Sequence, residues 1–244
     1  MGSATISSSG NTLTVQQSSQ RAAIDWNTFN VGSGAQVNFN QPNAAAVTLN
    51  RVLDNNPSQI MGRINAPGQV FIVNPNGVLF GASSQVDVGG LLVTTHGISN
   101  ADFMAGRYTF NRNGSTGRVV NDGTLRADLG GYIALLAPEV QNSGVVLARA
   151  GTVAFAAGEQ VSLTIADGKG LSGISTTAST IASLIENKLA VQAPDGQIIL
   201  SAVAVNKLQA GVIKNSGSLE ANSLVSKGGK IVLEGDDITL TRTS

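Results

Sequence analysis

The chain has 244 residues, 15 basic and 15 acidic side chains, one histidine and no cysteine. A net charge of zero lacks the positive footprint that nucleic-acid binding needs. The absence of Cys excludes a disulfide framework, a thiolate nucleophile and zinc–thiolate sites. Charged residues make up only 12%, while 29 residues are Gly and 21 are Asn, too apolar for a disordered tail and too interrupted for a helical bundle.

From the start, Met1-Gly2-Ser3 runs straight into a polar stretch at 5–20 with no basic-then-apolar signal sequence. That suits either a cytosolic chain or a mature fragment carrying an added start. The apolar runs 89–93 and 132–137 fall far short of the ~20 residues a spanning helix needs. Residues 24–31, IDWNTFNV, alternate Ile24, Trp26 and Phe29 toward an interior and hold the one Trp. In Asn74-Pro75-Asn76-Gly77, Pro fixes φ and Asn-Gly supplies positive φ, which predicts a tight turn between strands at 69–73 and 78–81.

Beyond this turn the chain repeats itself. Alternate positions read Val119, Asn121, Gly123, Leu125, Ala127, then Gly131, Ile133, Leu135, Ala137. A copy follows 21 residues later, from Asn121 to Asn142, and others begin at Ile185 and Ile213, with a divergent early copy at 62–74. Period two means strands with a buried face, and a unit of about 20 residues is the size of one coil of a parallel β-helix. At that size the chain makes about ten coils and a rod of about 50 Å. The recurring Asn is either a stacked amide ladder or a turn residue tolerant of left-handed φ.

Two stretches break the register. Residues 97–117 are polar and rich in Gly and Asn, and read as an insertion forming a small extra hairpin. Residues 172–188 place Ile174, Ile181, Leu184 and Ile185 at helical spacing, and a short helical turn is expected at 202–208. Neither break looks like a linker, so 1–244 is expected to be one domain, with a cap at 1–40 and insertions at 97–117 and 172–188.

No catalytic, metal or cofactor site is expected. A β-helix enzyme needs carboxylates converging on one face, whereas Asp87, Asp128, Asp167 and Asp195 occupy different parts of their coils. His96 has no second His and reads as a surface or turn residue. Tyr108 and Phe110 are either exposed aromatics fit for sugar stacking or packed against the rod. A carbohydrate-binding or carbohydrate-active module therefore stands as the alternative function.

The words DWNTFNV, the LNRV at 49–52 and GQVFIVNPNGVLFG at 68–81 resemble the amino-terminal secretion domain of two-partner secretion exoproteins, the family of filamentous haemagglutinin and the high-molecular-weight adhesins. The downstream coils are similar to those of the family, so the resemblance covers about 4–240. Some members carry a further NPNL motif upstream; here Asn55-Asn56-Pro57-Ser58 stands in that region without matching, which looks like the adhesin-type branch. The resemblance implies an all-β, right-handed parallel β-helix with N-terminal cap strands. It also implies a fragment of a longer secreted or cell-surface exoprotein that crosses the periplasm of a Gram-negative bacterium. Its implied partner is the POTRA domains of an outer-membrane transporter, with no nucleic acid and no cofactor. The domain would be a monomer that labels the exoprotein for export and nucleates its folding, any host receptor being met by the rest of the exoprotein. Asn74, Pro75, Asn76 and Gly77, with Asn50 and Arg51 second, are the residues expected to matter, either by touching the transporter or by fixing the turn.

Overall fold

A computed structural model describes residues 1–166, 168, 170–206, 209–223 and 229–241. Strands occur throughout, and one short helix, Asn100–Met104, is found among the described residues. The strands wind into a parallel β-helix with three faces. The first face stacks Thr12–Gln17, Gln36–Asn40, the opening halves of Arg63–Val73, Gln85–Thr94 and Thr124–Leu136, then Val145–Ala148, Ala190–Gln192 and Ser218–Glu220. The second face stacks Arg21–Trp26, Val47–Val52, the closing halves of the same three long strands, then Thr152–Ala157, Gln197–Ala202 and Lys230–Gly235. The third runs from Ser58–Ile60 through Val78–Phe80, Arg118–Asn121, Glu139–Asn142, Ser183–Asn187 and Gly211–Asn215 to Asp237–Leu240.

Among the described residues the first face has eight parallel rungs rather than the ten expected. At the inter-strand spacing that is about 34 Å of rod, shorter than the expected 50 Å because the insertions divert residues from the coil. Alternate side chains line a continuous interior, with Ile64, Val70, Leu91, Leu125, Ile133, Val153, Ile198 and Ile213 among the fully buried residues.

The insertions assemble into something the sequence did not announce. Tyr108–Asn111 pairs antiparallel with Gln160–Ala166, which pairs antiparallel with Gly170–Thr176, forming one three-stranded sheet whose middle strand lies outside both expected insertions; the second insertion therefore begins before 172 and ends before 183. The first insertion therefore contributes one strand and the short helix, not a hairpin of its own. The expected helix over 172–188 is absent: 170–176 is a strand of this side sheet and 183–187 returns to the rod with Ile185 in its core. Ile174 belongs to one strand, Leu184 and Ile185 to another and Ile181 to the connection between them, so their helical spacing is coincidental. The short helical turn expected at 202–208 is not present at 203–206, and 207–208 lie outside the described residues.

The side sheet covers the second face of the rod and creates a second core. Phe71 sits at its centre, with ring centroids 5.2 Å from Tyr108, 6.0 Å from Phe103 and 6.2 Å from Phe110. Leu49, Leu92, Tyr132, Ala134, Leu136, Ala154 and Ala156 meet it from the rod. That accounts for Thr152–Ala157 being buried at every position: the strand faces the interior on one side and the side sheet on the other.

The recurring Asn forms a ladder. Asn121, Asn142, Asn187 and Asn215 lie in register on the third face. Each Nδ2 donates to the next Oδ1: Asn121 to Asn142 at 2.8 Å, Asn142 to Asn187 at 2.7 Å and Asn187 to Asn215 at 2.7 Å. None of the four has positive φ, so the left-handed-turn reading does not apply.

Candidate functional site

The Asn74–Gly77 segment forms the corner between the second and third faces. Gly77 N–H donates to Asn74 C=O at 3.0 Å, closing a four-residue turn. Pro at the second position and Gly at the fourth are type I preferences. Positive φ falls on Gly77 (114°), where an added Cβ would meet Arg118 O at 2.8 Å. Glycine is needed there on both counts.

Asn74 is fully buried, and its amide is consumed by the fold. Nδ2 donates to Asn56 O at 2.9 Å and Ser58 Oγ at 3.0 Å, while Oδ1 accepts the Asn76 N–H at 2.9 Å. Asn76 is half-buried and donates through Nδ2 to Asp54 O at 2.9 Å. Ser58 N–H reaches Gly77 O at 3.0 Å, and Ser115 Oγ donates to Pro75 O at 2.7 Å. The segment 54–58, including the Asn-Asn-Pro-Ser that departs from the family motif, thus supplies the turn's partners. Sequence reasoning missed Asp54, Ser58 and Ser115 as members of this corner; only a Pro-bearing, Asn-rich stretch one coil earlier pointed there. Of the four turn residues, only Pro75 is exposed and Asn76 part-exposed.

Asn50 and Arg51 lie on the neighbouring strand, Arg51 in register with Val73 just before the turn. Asn50 points into the rod and is fully buried; its Oδ1 accepts Trp26 Nε1–H at 3.0 Å and its Nδ2 donates to Phe71 O at 3.2 Å. Arg51 points outward. It pairs with Asp25 at 3.2 Å and donates to Ile98 O at 3.1 Å and Asn100 Oδ1 at 2.8 Å, fastening the start of the first insertion to the rod. The backbone brings the six residues together, but their side chains serve three separate jobs: turn, interior and strap.

His96 is fully buried, not on the surface, because the turn carrying it lies beneath the insertions. Its Nε2 is 2.7 Å from Gly158 O and its Nδ1 has no partner among the described residues; burial lowers its pKa against the raising effect of the Gly158 carbonyl. Tyr108 and Phe110 are packed in the second core, not available for sugar stacking. Asp87 and Asp128, expected in unrelated places, border one shallow exposed groove with Arg126 and Arg149, since adjacent rungs put Asp87 opposite Arg126. Asp195 lies at another corner, and Asp167 lies outside the described residues. No group of His, Cys, Asp or Glu fit to hold a metal occurs among the described residues.

The family model of the TPS secretion domain matches residues 1–243. Two curated relatives, each called heme/hemopexin-binding protein, from Haemophilus influenzae, are 31% identical; the matches cover 100% and 95% of this chain and 27% of each relative. The chain thus spans about a quarter of their length. The solved secretion domain of HMW1 from Haemophilus influenzae superposes with a TM-score of 0.84 at 28% identity, over 95% of this chain and 60% of that one. The chain belongs to the TPS secretion domain family, the export domain of two-partner secretion exoproteins.

Proposed function

We propose that the POTRA domains of an outer-membrane transporter recognise this domain in the periplasm, and that its rod then nucleates folding of the exoprotein outside the cell. Family membership supports the transporter as partner. The fold suits the second step, because each coil contacts only its neighbours and folding can propagate as chain emerges. The domain acts as a monomer. In this reading Asn74, Pro75, Asn76 and Gly77 work by shaping the corner, and Asn50 and Arg51 by setting the interior and the strap. The observation that carries it is the full burial of Asn74, with both ends of its amide hydrogen-bonded inside the chain.

The test is export into the medium from cells carrying the cognate transporter, intact or without its POTRA domains, with correct barrel assembly checked in parallel. Export through the POTRA-less barrel would refute the recognition step. The relatives' name suggests a haem-related role for the parent exoprotein. We place any such ligand outside this domain, because its one imidazole is buried with Nε2 against a backbone carbonyl.

A further inference from the structure

The sequence holds two Asn-Gly pairs, Asn76-Gly77 and Asn113-Gly114. Asn is among the thermolabile residues, and a following Gly removes the Cβ that would keep its backbone nitrogen from approaching the Asn side chain. The fold puts the two pairs in opposite surroundings. At the corner, Asn76 Nδ2 is held by Asp54 O at 2.9 Å and Gly77 N–H by Asn74 O at 3.0 Å. Gly77 also lies against Arg118 O, which an added Cβ would meet at 2.8 Å. A ring between Asn76 and Gly77 therefore requires the corner around buried Asn74 to open first.

Asn113 and Gly114 are the central residues of a turn closed by Ser115 N–H to Arg112 O at 2.9 Å. Both are exposed and both have positive φ, 51° and 81°. Neither the Asn113 amide nor the Gly114 N–H has a hydrogen-bond partner among the described residues. A Cβ built at Gly114 meets nothing within 4 Å, so this residue has open space in which to rotate.

We propose that Asn113 is a spontaneous modification site, where the folded domain converts an amide to a carboxylate while Asn76 is spared. The Gly114 nitrogen, having given its proton to hydroxide, bonds to Asn113 Cγ. The Cγ–Nδ2 bond then breaks, and the nitrogen takes a proton from water and leaves as ammonia, giving a cyclic imide. Water opens the imide in one of two ways. Attack at Cγ leaves aspartate, whereas attack at the main-chain carbonyl leaves isoaspartate, whose backbone runs through Cβ and Cγ and is longer by one bond.

The position gives this chemistry a structural consequence. Arg112 and Ser115, on either side of the pair, fasten the first insertion: Arg112 Nε to Glu159 at 2.9 Å, Arg112 Nη1 to Ser115 O at 3.1 Å, and Ser115 Oγ to Pro75 O at 2.7 Å. A longer backbone between them cannot hold Ser115 N–H, O and Oγ on all their partners at once. Isoaspartate at 113 thus loosens the tie between the insertion and the Asn74–Gly77 corner.

The experiment ages the whole domain at mildly alkaline pH, folded in one sample and unfolded in urea in another. Peptide mass spectrometry follows both Asn-Gly pairs, and isoaspartyl methyltransferase labelling identifies the longer backbone. In the folded domain Asn113 is expected to convert at least about tenfold faster than Asn76, and in urea the two are expected to convert at similar rates. Amide exchange at 115–117 is expected to be faster in the aged domain than in the fresh one. Aged Asn113→Gln should show neither change, because Gln closes the corresponding ring far more slowly. Equal rates at the two pairs in the folded domain overturn the proposal, as does an Asn113 that stays intact when folded but converts in urea. Conversion to isoaspartate with unchanged exchange at 115–117 overturns the loosening of the corner.

Discussion

Replacing Asn142 by Ala in the amide ladder tests whether stacked rungs hold the third face together. Asn142 is buried; it accepts from Asn121 and donates to Asn187, with further contacts to Gly144 O at 3.1 Å and Ala190 O at 3.3 Å. Ala at 142 strands the Asn121 Nδ2–H, whose other acceptor is Gly123 O at a long 3.4 Å, and the Asn187 Oδ1. A buried polar group left unpaired costs roughly 1–3 kcal/mol, so two of them give about 3 kcal/mol. Asn215 is half-buried at the end of the ladder, and its loss strands less, because Asn187 Nδ2 keeps Ser218 O at 3.2 Å. Asn215→Ala should therefore cost about 1 kcal/mol. For a chain of this length 1 kcal/mol moves the melting temperature by about 2–4 °C, giving roughly 6–12 °C for Asn142→Ala against 2–4 °C for Asn215→Ala. Thermal melting followed by far-ultraviolet circular dichroism reads both. Asn142→Gly separates the two views of the residue: the ladder predicts a loss at least as large as for Ala, whereas a left-handed turn position would favour Gly. Equal, small shifts for Asn142→Ala and Asn215→Ala would refute the ladder argument.

Three further outcomes are expected. Gly77→Ala forces a Cβ against Arg118 O at positive φ, and should cost about 1–3 kcal/mol in a urea titration. Arg51→Ala removes the strap to Ile98 and Asn100, and should cost about 1 kcal/mol overall, with faster amide exchange concentrated at 98–111. His96 has a folded pKa held below its ordinary value by burial, so the unfolded chain takes up its proton first. Its contribution is present above the ordinary histidine pKa of about 6.5 and is lost as pH falls through and below that value. Arg112 and Glu159 are the charged groups that act on it, Arg112 opposing protonation and Glu159 favouring it. His96→Gln should flatten the melting temperature between neutral and mildly acid pH; an unchanged slope would remove His96 from the account.

The coil was legible because burial on one side writes a period of two into the chain, and the Asn, Gly and Ala positions repeat with it. Val119, Val140, Ile185 and Ile213 fall in one row on the third face as their spacing implied. The side sheet was not legible, since pairing between 108–111 and 160–166 leaves no local signal in either segment. Its trace was present in the rod instead: Leu92, Ala134, Leu136, Ala154 and Ala156 are apolar at positions that a solvated outer face would make polar. His96 misled for the same reason, because a lone histidine after a strand looks exposed until a distant segment covers it. The corner was half legible. The turn chemistry of Asn74 to Gly77 was plain, but its partners at Asp54, Asn56 and Ser58 come from the preceding coil and Ser115 from the first insertion, neither of which the turn's own residues can indicate.

Whether the corner acts through shape is tested most directly by measuring export and thermal melting side by side for Asn76→Ala. This variant removes the hydrogen bond to Asp54 O while leaving the buried Asn74 amide in place. The account predicts that export falls together with the melting temperature, and that a stabilising change elsewhere in the rod restores both. Lost export with an unaltered melt would contradict it and make Asn76 a contact for the transporter.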